Sequence, residues 1–272
     1  MNAELVKQIC EKLTGDELVL KKRFLESSVN GCARSVCIDD LLPENVAEEI
    51  YNCFPKKESD WRLMDTFRER KFTSKDFDKM PALLRDITFA IQAPEVIEII
   101  ERISGIVNQE ADPMLYAGGL SMMRAGDFLN PHIDNSHNQQ RDLYRVLNLL
   151  YYVTPEWQYE NGGNLELWDD KVKLASTTTS KFNRLVLMET TKRSWHSVSP
   201  VIAPGYRCCV SNYYFSVSSP DGGDYHHVTS FSARPEQKFK RVISYLDGLL
   251  RAGVRSVIKG GVGKQDVYKV KR

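Results

Sequence analysis

The chain has 272 residues and a formal net charge of +1, because 37 lysine and arginine side chains nearly balance 36 aspartate and glutamate side chains. This balance provides no overall field that would attract nucleic acid or a membrane surface. We therefore expect no binding to nucleic acid. No run approaches the roughly 18 consecutive apolar residues of a transmembrane helix, so we expect a cytoplasmic protein that does not bind a membrane. Composition does not indicate an oligomeric state.

The cysteine and histidine residues suggest where chemistry could occur. The six cysteines show neither the Cys-x2-Cys spacing of a zinc site nor a small disulfide framework, so we expect free thiols. The five histidines, from His132 to His227, lie near the midpoint of the chain or beyond it. Any histidine chemistry therefore belongs to the second half.

The first part of the chain is predicted to be mainly helical. Helical patterns cover residues 1–25, 43–54, 81–92 and 94–104, and a short β-rich run covers 33–38. The charged and aromatic residues between 60 and 79 favour a surface lobe over a phosphate-binding segment. We expect residues 1–112 to form a support region that packs on the rest of the fold.

From residue 114 onward, short strands separated by turn residues replace the helices. The predicted strands are 115–124, 129–135, 144–153, 163–168, 183–189, 194–198 and 207–217. This spacing predicts a mostly β fold with flanking helices, in which a double-stranded β-helix, or jelly-roll, core over 113–220 packs on the N-terminal helices. A loop and helix over 221–253, with the helix at 235–251, and a loose basic tail over 254–272 follow.

A metal site is suggested by His132 and Asp134, which lie two positions apart in a predicted strand. Alternation places both side chains on the same face. His196 lies in a second strand-like run. Two neutral imidazoles and one carboxylate form the facial ligand set of non-haem Fe(II), which leaves coordination positions open for chemistry. A His-x-Asp pair is a weak signal by itself, so the surrounding sequence must show whether the pair belongs to a metal site.

That context resembles the 2-oxoglutarate/Fe(II)-dependent dioxygenases, especially their prolyl-hydroxylase-like branch and a bacterial subgroup of oxygenases. The resemblance spans residues 118–215 and rests on residues 132–135 (HIDN), 145–152 (RVLNLLYY), 162–165 (GGNL), 183–187 (NRLVL), 195–196 (WH) and 204–215. It implies that Fe(II), 2-oxoglutarate and O2 are used to hydroxylate a substrate, with release of succinate and CO2. It also implies that His132, Asp134 and His196 are the metal ligands and catalytic centre.

Further residues are implied to bind 2-oxoglutarate. The resemblance places the basic residue that binds the distal carboxylate at Arg207, and a guanidinium suits this role because it presents two parallel donors. Alternation from Arg207 puts Ser211 on the same face. In the strand 144–153, Asn148 and Tyr152 share a face, and the family's carboxylate-binding tyrosine aligns with Tyr152, with Tyr151 as the one-residue alternative.

The candidates for substrate contact are Arg124, Asn135 and His137. Arg124 stands where prolyl hydroxylases commonly carry a tyrosine, which argues against a peptidyl-proline substrate. An inward Arg124 could contact an acidic group of the substrate or 2-oxoglutarate, whereas an outward one would lie on the sheet surface; the sequence leaves both open. His226 and His227 could line the entrance or lie in a surface loop.

The partner is expected to be a small molecule or a protein side chain: an amino acid, a saccharide precursor or a side-chain substrate. The fold is also compatible with two other functions. A jelly-roll protein that only binds or senses a ligand would not need the complete set of His132, Asp134, His196 and Arg207. A cupin-like metal enzyme without a co-substrate would leave Arg207 with no assigned partner.

Overall fold

A computed structural model of the chain describes residues 2–28, 31–74, 76–116, 118–237 and 241. These residues form four α-helices: α1 (Ala3–Glu26), α2 (Glu44–Asn52), α3 (Ala82–Ala90) and α4 (Pro94–Ser104). They also form thirteen strands: β1 (Ser35–Ile38), β2 (Arg62–Asp65), β3 (Glu69–Ser74), β4 (Gln109–Ala111), β5 (Gly119–Arg124), β6 (Phe128–Ile133), β7 (Tyr144–Tyr152), β8 (Leu165–Trp168), β9 (Ala175–Thr178), β10 (Arg184–Glu189), β11 (His196–Val198), β12 (Tyr206–Ser216) and β13 (Ser230–Phe231).

The helices begin and end where local sequence signals place their boundaries. Asn2 caps α1, because its side chain accepts hydrogen bonds from the backbone N–H groups of Glu4 and Leu5. Helix α4 begins at Pro94, which tolerates a first-turn position, and ends before Gly105, whose φ of 71° is left-handed. All four helical segments predicted in the first part of the chain are present.

The strands form one continuous antiparallel sheet that curls into a half-barrel. Its order is β1-β10-β7-β12-β5-β3-β6-β11-β8-β9, with β2 paired to β3, β4 to β12 and β13 to β6. Strand β3 pairs with both β5 and β6, so it joins the two halves of the sheet. The predicted jelly-roll core with flanking helices is confirmed.

Side-chain alternation in β7 separates the helix-facing core from the interior of the half-barrel. Leu147, Leu149 and Tyr151 join the apolar cluster that includes the buried faces of the helices. Asn148 and Leu150 line a cavity on the opposite face. The period of two therefore gives β7 an apolar face toward the helices and a functional face toward the interior.

The prediction of a charged surface lobe between residues 60 and 79 is wrong for β3. This strand is part of the central sheet, and Phe72 on one of its faces is buried in the core. Glu69 and Lys71 on the other face line the interior cavity. Charged residues that face a cavity give the same sequence pattern as charged residues that face solvent, which explains the error.

All six cysteines are free thiols, as the sequence predicts. In the part of the chain that the structure describes, no helix has the length and apolar character needed to cross a membrane. Apart from residues 235–237 and 241, the predicted C-terminal helix at 235–251 lies outside the described residues, and the predicted tail at 254–272 lies wholly outside them.

Candidate active site

His132, Asp134 and His196 come together inside the half-barrel. His132 is in β6 and His196 in β11, and these two residues face each other in the antiparallel register. The Nε2 atom of His132 is 3.6 Å from Oδ1 of Asp134, and Nε2 of His196 is 3.5 Å from Oδ2. One ligand atom from each residue lies within 4.8 Å of the others, so the three side chains could hold one metal ion.

The hydrogen bonds of both imidazoles orient the rings toward that point. The Nδ1 atom of His132 is 3.0 Å from the Asn130 carbonyl oxygen, and Nδ1 of His196 is 3.0 Å from the Ser194 carbonyl oxygen. Because a carbonyl oxygen can only accept, each Nδ1 carries the proton and each Nε2 presents its lone pair to the cluster. This second hydrogen bond is typical of metal-binding histidines.

The local electrostatics keep His132 and Asp134 in their ligating protonation states. Burial, followed by the charge of His196, lowers the pKa of His132 to about 3, so its imidazole is neutral near pH 7. Burial acts to raise the pKa of Asp134, but Arg145 and the two imidazoles outweigh it and hold that pKa far below its usual range. The Nδ2 atom of Asn148 also donates to Oδ2 of Asp134 at 2.8 Å.

The cluster opens into a cavity of about 460 Å³, a size typical of small-molecule sites. Side chains from β2, β3, β5, β6, β7 and β12 line its walls. The segment 224–234, here called the C-terminal strap, contributes His226, His227 and Phe231. Phe231 stacks on the His132 ring with a centroid separation of 5.3 Å.

Arg207 and Tyr152 form a second polar point near the same cavity. Arg207 is buried at the start of β12, with its Nε atom 3.2 Å from Ser180 Oγ and its guanidinium carbon 4.6 Å from the centre of the Tyr152 ring. The Tyr152 hydroxyl is fully buried without a well-formed hydrogen bond, and burial raises its pKa. A buried hydroxyl beside a buried cation fits a carboxylate ligand, which can accept from both.

A glycine allows the close packing of Arg207. A Cβ atom on Gly163 would lie 3.2 Å from Arg207 Cδ and 3.1 Å from Val201 Cγ2, and the φ of Gly163 is +65°. A side chain at this position would be both strained and crowded. Gly163 therefore leaves the space that the Arg207 stem occupies.

Other predicted site residues also lie at the cavity. Ser211, Asn148, Asn135 and His137 all line it. The side-chain amide of Asn148, which is predicted to bind 2-oxoglutarate, donates to Asp134 and accepts from the Thr190 hydroxyl. Asn148 is therefore a hydrogen-bond partner of Asp134, and Ser211 lies four positions after Arg207 on the same face of β12.

Arg124 does not point into the cavity, so its proposed contact with substrate or 2-oxoglutarate is wrong. Its Nη1 atom is 2.6 Å from Oε2 of Glu58, and its guanidinium lies over the Phe72 ring. Alternation in β5 instead places Met123 and Ser121 on the cavity face. The outward alternative for Arg124 is the correct one.

Three residues beside the cavity were not predicted from the sequence to belong to the site. Arg145 is fully buried beside Asp134, and it was assigned no role from the sequence. Glu69 and Lys71 were assigned to a surface lobe. The period of two within residues 69–74 was the signal that could have placed these two side chains on one face.

Comparison with known proteins agrees with this site. Residues 118–215 match the family model described as the 2OG-Fe(II) oxygenase superfamily. This range contains the metal-ligand cluster, Tyr152 and Arg207. Residues 118–215 therefore form a 2OG-Fe(II) oxygenase domain. The predicted cofactors of this class, Fe(II), 2-oxoglutarate and O2, are confirmed.

Solved prolyl hydroxylases share the fold at low sequence identity. A prolyl 4-hydroxylase from Phytophthora capsici is 17% identical with a TM-score of 0.55, and the match covers 97% of this chain and 81% of that one. A Pseudomonas putida prolyl-4-hydroxylase is 14% identical with a TM-score of 0.52, covering 72% and 98%.

A prolyl hydroxylase from Trichoplax adhaerens, solved with a peptide fragment of hypoxia inducible factor, is 18% identical with a TM-score of 0.52. The match covers 75% of this chain and 92% of that one. No curated protein matches the chain by sequence. The predicted resemblance to the prolyl-hydroxylase-like branch is confirmed at the level of domain and fold.

Proposed function

We propose that the chain hydroxylates a polar substrate, with His132, Asp134 and His196 as its iron ligands. The observation that carries this proposal is the convergence of their ligand atoms within 4.8 Å, on the wall of a cavity that Arg207 also lines. When bound, Fe(II) and 2-oxoglutarate supply the oxidising chemistry, with O2 consumed and succinate and CO2 released.

The side chains of the protein have distinct tasks in this reaction. The carbonyl groups of Asn130 and Ser194 fix the two imidazoles so that both Nε2 atoms face the metal position. Asn148 and Arg145 keep Asp134 ionised and oriented. The preorganised ligand set does not need to rearrange when the ion binds.

Arg207 and Tyr152 are proposed to bind the distal carboxylate of 2-oxoglutarate, with Ser211 as a further donor. The guanidinium is buried, so an incoming carboxylate would exchange water for a charge-assisted pair in a site of low polarity. The unsatisfied Tyr152 hydroxyl can donate to the same carboxylate. These roles support one fixed orientation of the co-substrate in the cavity.

Asn135 and His137 line the cavity and are proposed to contact the substrate, which is a small molecule or a side chain rather than nucleic acid. The six free thiols support a reducing compartment such as the cytoplasm.

An anaerobic titration tests the function. Fe(II) followed by 2-oxoglutarate should produce the weak visible charge-transfer band expected of this class, and exposure to O2 should then yield succinate. Asp134→Ala should lose the band because one ligand is removed. Asp142→Asn provides a control, since Asp142 is exposed and bonded only to nearby Asn138 among the described contacts. No band and no succinate from the unmodified protein would contradict the proposal.

A further inference from the structure

One face of the β2–β3 hairpin forms a charged wall of the cavity. In the hairpin register, Arg62 lies opposite Thr73 and Met64 lies opposite Lys71. Glu69 shares its strand face with Lys71 and Thr73 because side chains alternate. All five residues line the cavity, and they come from a part of the chain outside residues 118–215.

Within this wall, Glu69 and Lys71 form a shielded ion pair. The Nζ atom of Lys71 is 3.0 Å from Oε2 of Glu69, with side-chain exposures of 23% and 15%. The nearby surface pair Lys79–Asp76 has exposures of 81% and 50%. Partial burial removes water from both charges, and that desolvation cost offsets much of their attraction. Stability alone is therefore a weak reason for placing this pair at a cavity wall.

The proposed reaction leaves Glu69 and Lys71 without a role. The metal is assigned to the histidine and aspartate cluster, and 2-oxoglutarate to Arg207. An ammonium has three donors and a carboxylate has two oxygens with several acceptor positions, so the contact between Lys71 Nζ and Glu69 Oε2 does not exhaust either group. Both can bind a ligand while remaining paired.

The charges on this wall select for a ligand that carries both signs. A ligand with only a negative group would be repelled by Glu69 when it approached Lys71, and a ligand with only a positive group would be repelled by Lys71. A zwitterion can place its carboxylate at Lys71 and its ammonium at Glu69. Arg62, on the same face, adds positive charge on the carboxylate side.

We propose that Glu69 and Lys71 recognise the α-ammonium and α-carboxylate groups of a free amino acid, which is the substrate. This inference rests on the proposed hydroxylase function and specifies its substrate class. The α-groups would be fixed at the β3 wall, leaving the amino-acid side chain in the rest of the cavity. The position of that side chain relative to His132, Asp134 and His196 would then decide which of its carbon atoms is oxidised.

Binding measurements on the full chain test this assignment. The protein is loaded with Zn(II) and 2-oxoglutarate, which allows binding without turnover, and is titrated calorimetrically with the proteinogenic amino acids, first in pools and then singly. At least one should bind. Its N-acetyl and carboxamide derivatives should each bind about tenfold more weakly or worse, because each loses one charged contact.

Substitutions of Glu69 and Lys71 test whether these two side chains bind the amino acid. Glu69→Gln and Lys71→Met should each weaken amino-acid binding by a similar factor, whereas the surface double variant Asp76→Asn/Lys79→Gln should not. The derivative experiment uses unmodified protein, so it remains decisive even if a variant fails to fold.

The idea is overturned if no amino acid binds the loaded protein, or if blocked derivatives bind as tightly as the free form. Equal binding of a simple carboxylic acid lacking the amino group would also overturn it and indicate an anionic substrate. Failure of the unmodified protein to bind Zn(II) and 2-oxoglutarate would contradict the proposed function instead, so the two failures are distinguishable.

Discussion

The Nη1 atom of Arg145 lies 3.2 Å from Oδ2 of Asp134, and none of the Arg145 surface is exposed. The same guanidinium lies 4.0 Å from the centre of the Tyr213 ring, and its Nη2 atom donates to Asn135 Oδ1 at 3.0 Å. A fully buried cation thus has a proposed metal ligand as its counter-ion. The ligand and its counter-ion are therefore energetically coupled.

Arg145→Met should destabilise the metal-free protein by about 3–5 kcal/mol, because Asp134 would keep a shielded charge without its ionic partner. A bound divalent ion supplies positive charge at the same carboxylate, so saturating Zn(II) should recover part of that loss. Urea unfolding with and without Zn(II) measures both effects.

The control for Arg145 is Arg34→Met, which breaks the ion pair between Arg34, just before β1, and Glu189, the last residue of β10. Zn(II) should not selectively recover the stability of this variant. If the Arg145 variant loses the same stability with and without the ion, the coupling to the metal position does not exist.

Substitutions at neighbouring tyrosines should separate co-substrate binding from packing. Tyr152→Phe removes an unsatisfied hydroxyl beside Arg207 and should weaken 2-oxoglutarate binding by about 1 kcal/mol, or several-fold. Tyr151 instead donates to Asn183 Oδ1 within the helix-side core. Tyr151→Phe should therefore lower stability while leaving 2-oxoglutarate affinity nearly unchanged.

Calorimetric titration of 2-oxoglutarate into each Zn(II)-loaded variant makes this comparison. Arg207→Gln should have a larger effect than Tyr152→Phe because it removes the charge itself. A loss of affinity in the Tyr151 variant that exceeds the loss in the Tyr152 variant would reverse the assignment of the two residues.

The sequence could predict the parts of this site that follow from strand alternation. The inward face of β12 is an example: Arg207, Ser211 and Tyr213 all line the cavity, because a period of two fixes the face once one member is placed. The pairing of His132 and His196 across β6 and β11 also agrees with the predicted metal site.

Long-range contacts could not be derived in this way. The direction of Arg124 depended on Glu58, 66 residues away, and the burial of Arg145 depended on the aromatic rings of β12. Strand β9 was missed because its residues are largely exposed and lack apolar alternation. These features arise from tertiary partners, which a single-sequence pattern does not contain.

Arg234→Leu should loosen the C-terminal strap over the cavity. Arg234 forms an ion pair with Glu166, and Ser197 Oγ donates to the same carboxylate. The variant leaves Glu166 buried without a cation, which is costly. Hydrogen–deuterium exchange should increase in residues 225–233, with little change in β7.

Removing the charge of Glu166 provides the control for the Arg234→Leu variant. Combining Arg234→Leu with Glu166→Gln should recover part of the lost stability, because no buried charge then lacks a partner. Unchanged exchange in the strap of the single variant would mean that the ion pair does not hold this segment.

The Arg184–Asp39 pair predicts a pH-dependent contribution to stability away from the cavity. The hydrogen bond from Arg184 lowers the pKa of Asp39 below its usual value, and this outweighs partial burial, which raises it. The contribution is therefore present above the unfolded-state pKa of about 3.9 and is lost as pH falls through the folded-state pKa.

Urea unfolding of the unmodified protein and Arg184→Gln should differ by up to about 1 kcal/mol near pH 7, because Asp39 is more than one-third exposed. The difference should shrink below about pH 4 as Asp39 protonates. Any remaining offset reflects the pH-independent hydrogen bond from Arg184 to the Thr179 carbonyl. A difference that grows on acidification would contradict this linkage.

Asn148→Ala should lower metal affinity by about 10–100-fold, because the amide that orients Asp134 is lost while all three proposed ligands remain. Competition with a chelator of known Zn(II) affinity measures the change. Thr190→Val provides a graded comparison: it removes only the hydroxyl that bonds Asn148 Oδ1, so its effect should have the same direction but be smaller. If Asn148→Ala instead weakens 2-oxoglutarate binding with no change in metal affinity, Asn148 contacts the co-substrate directly and its bond to Asp134 does not control ligand orientation.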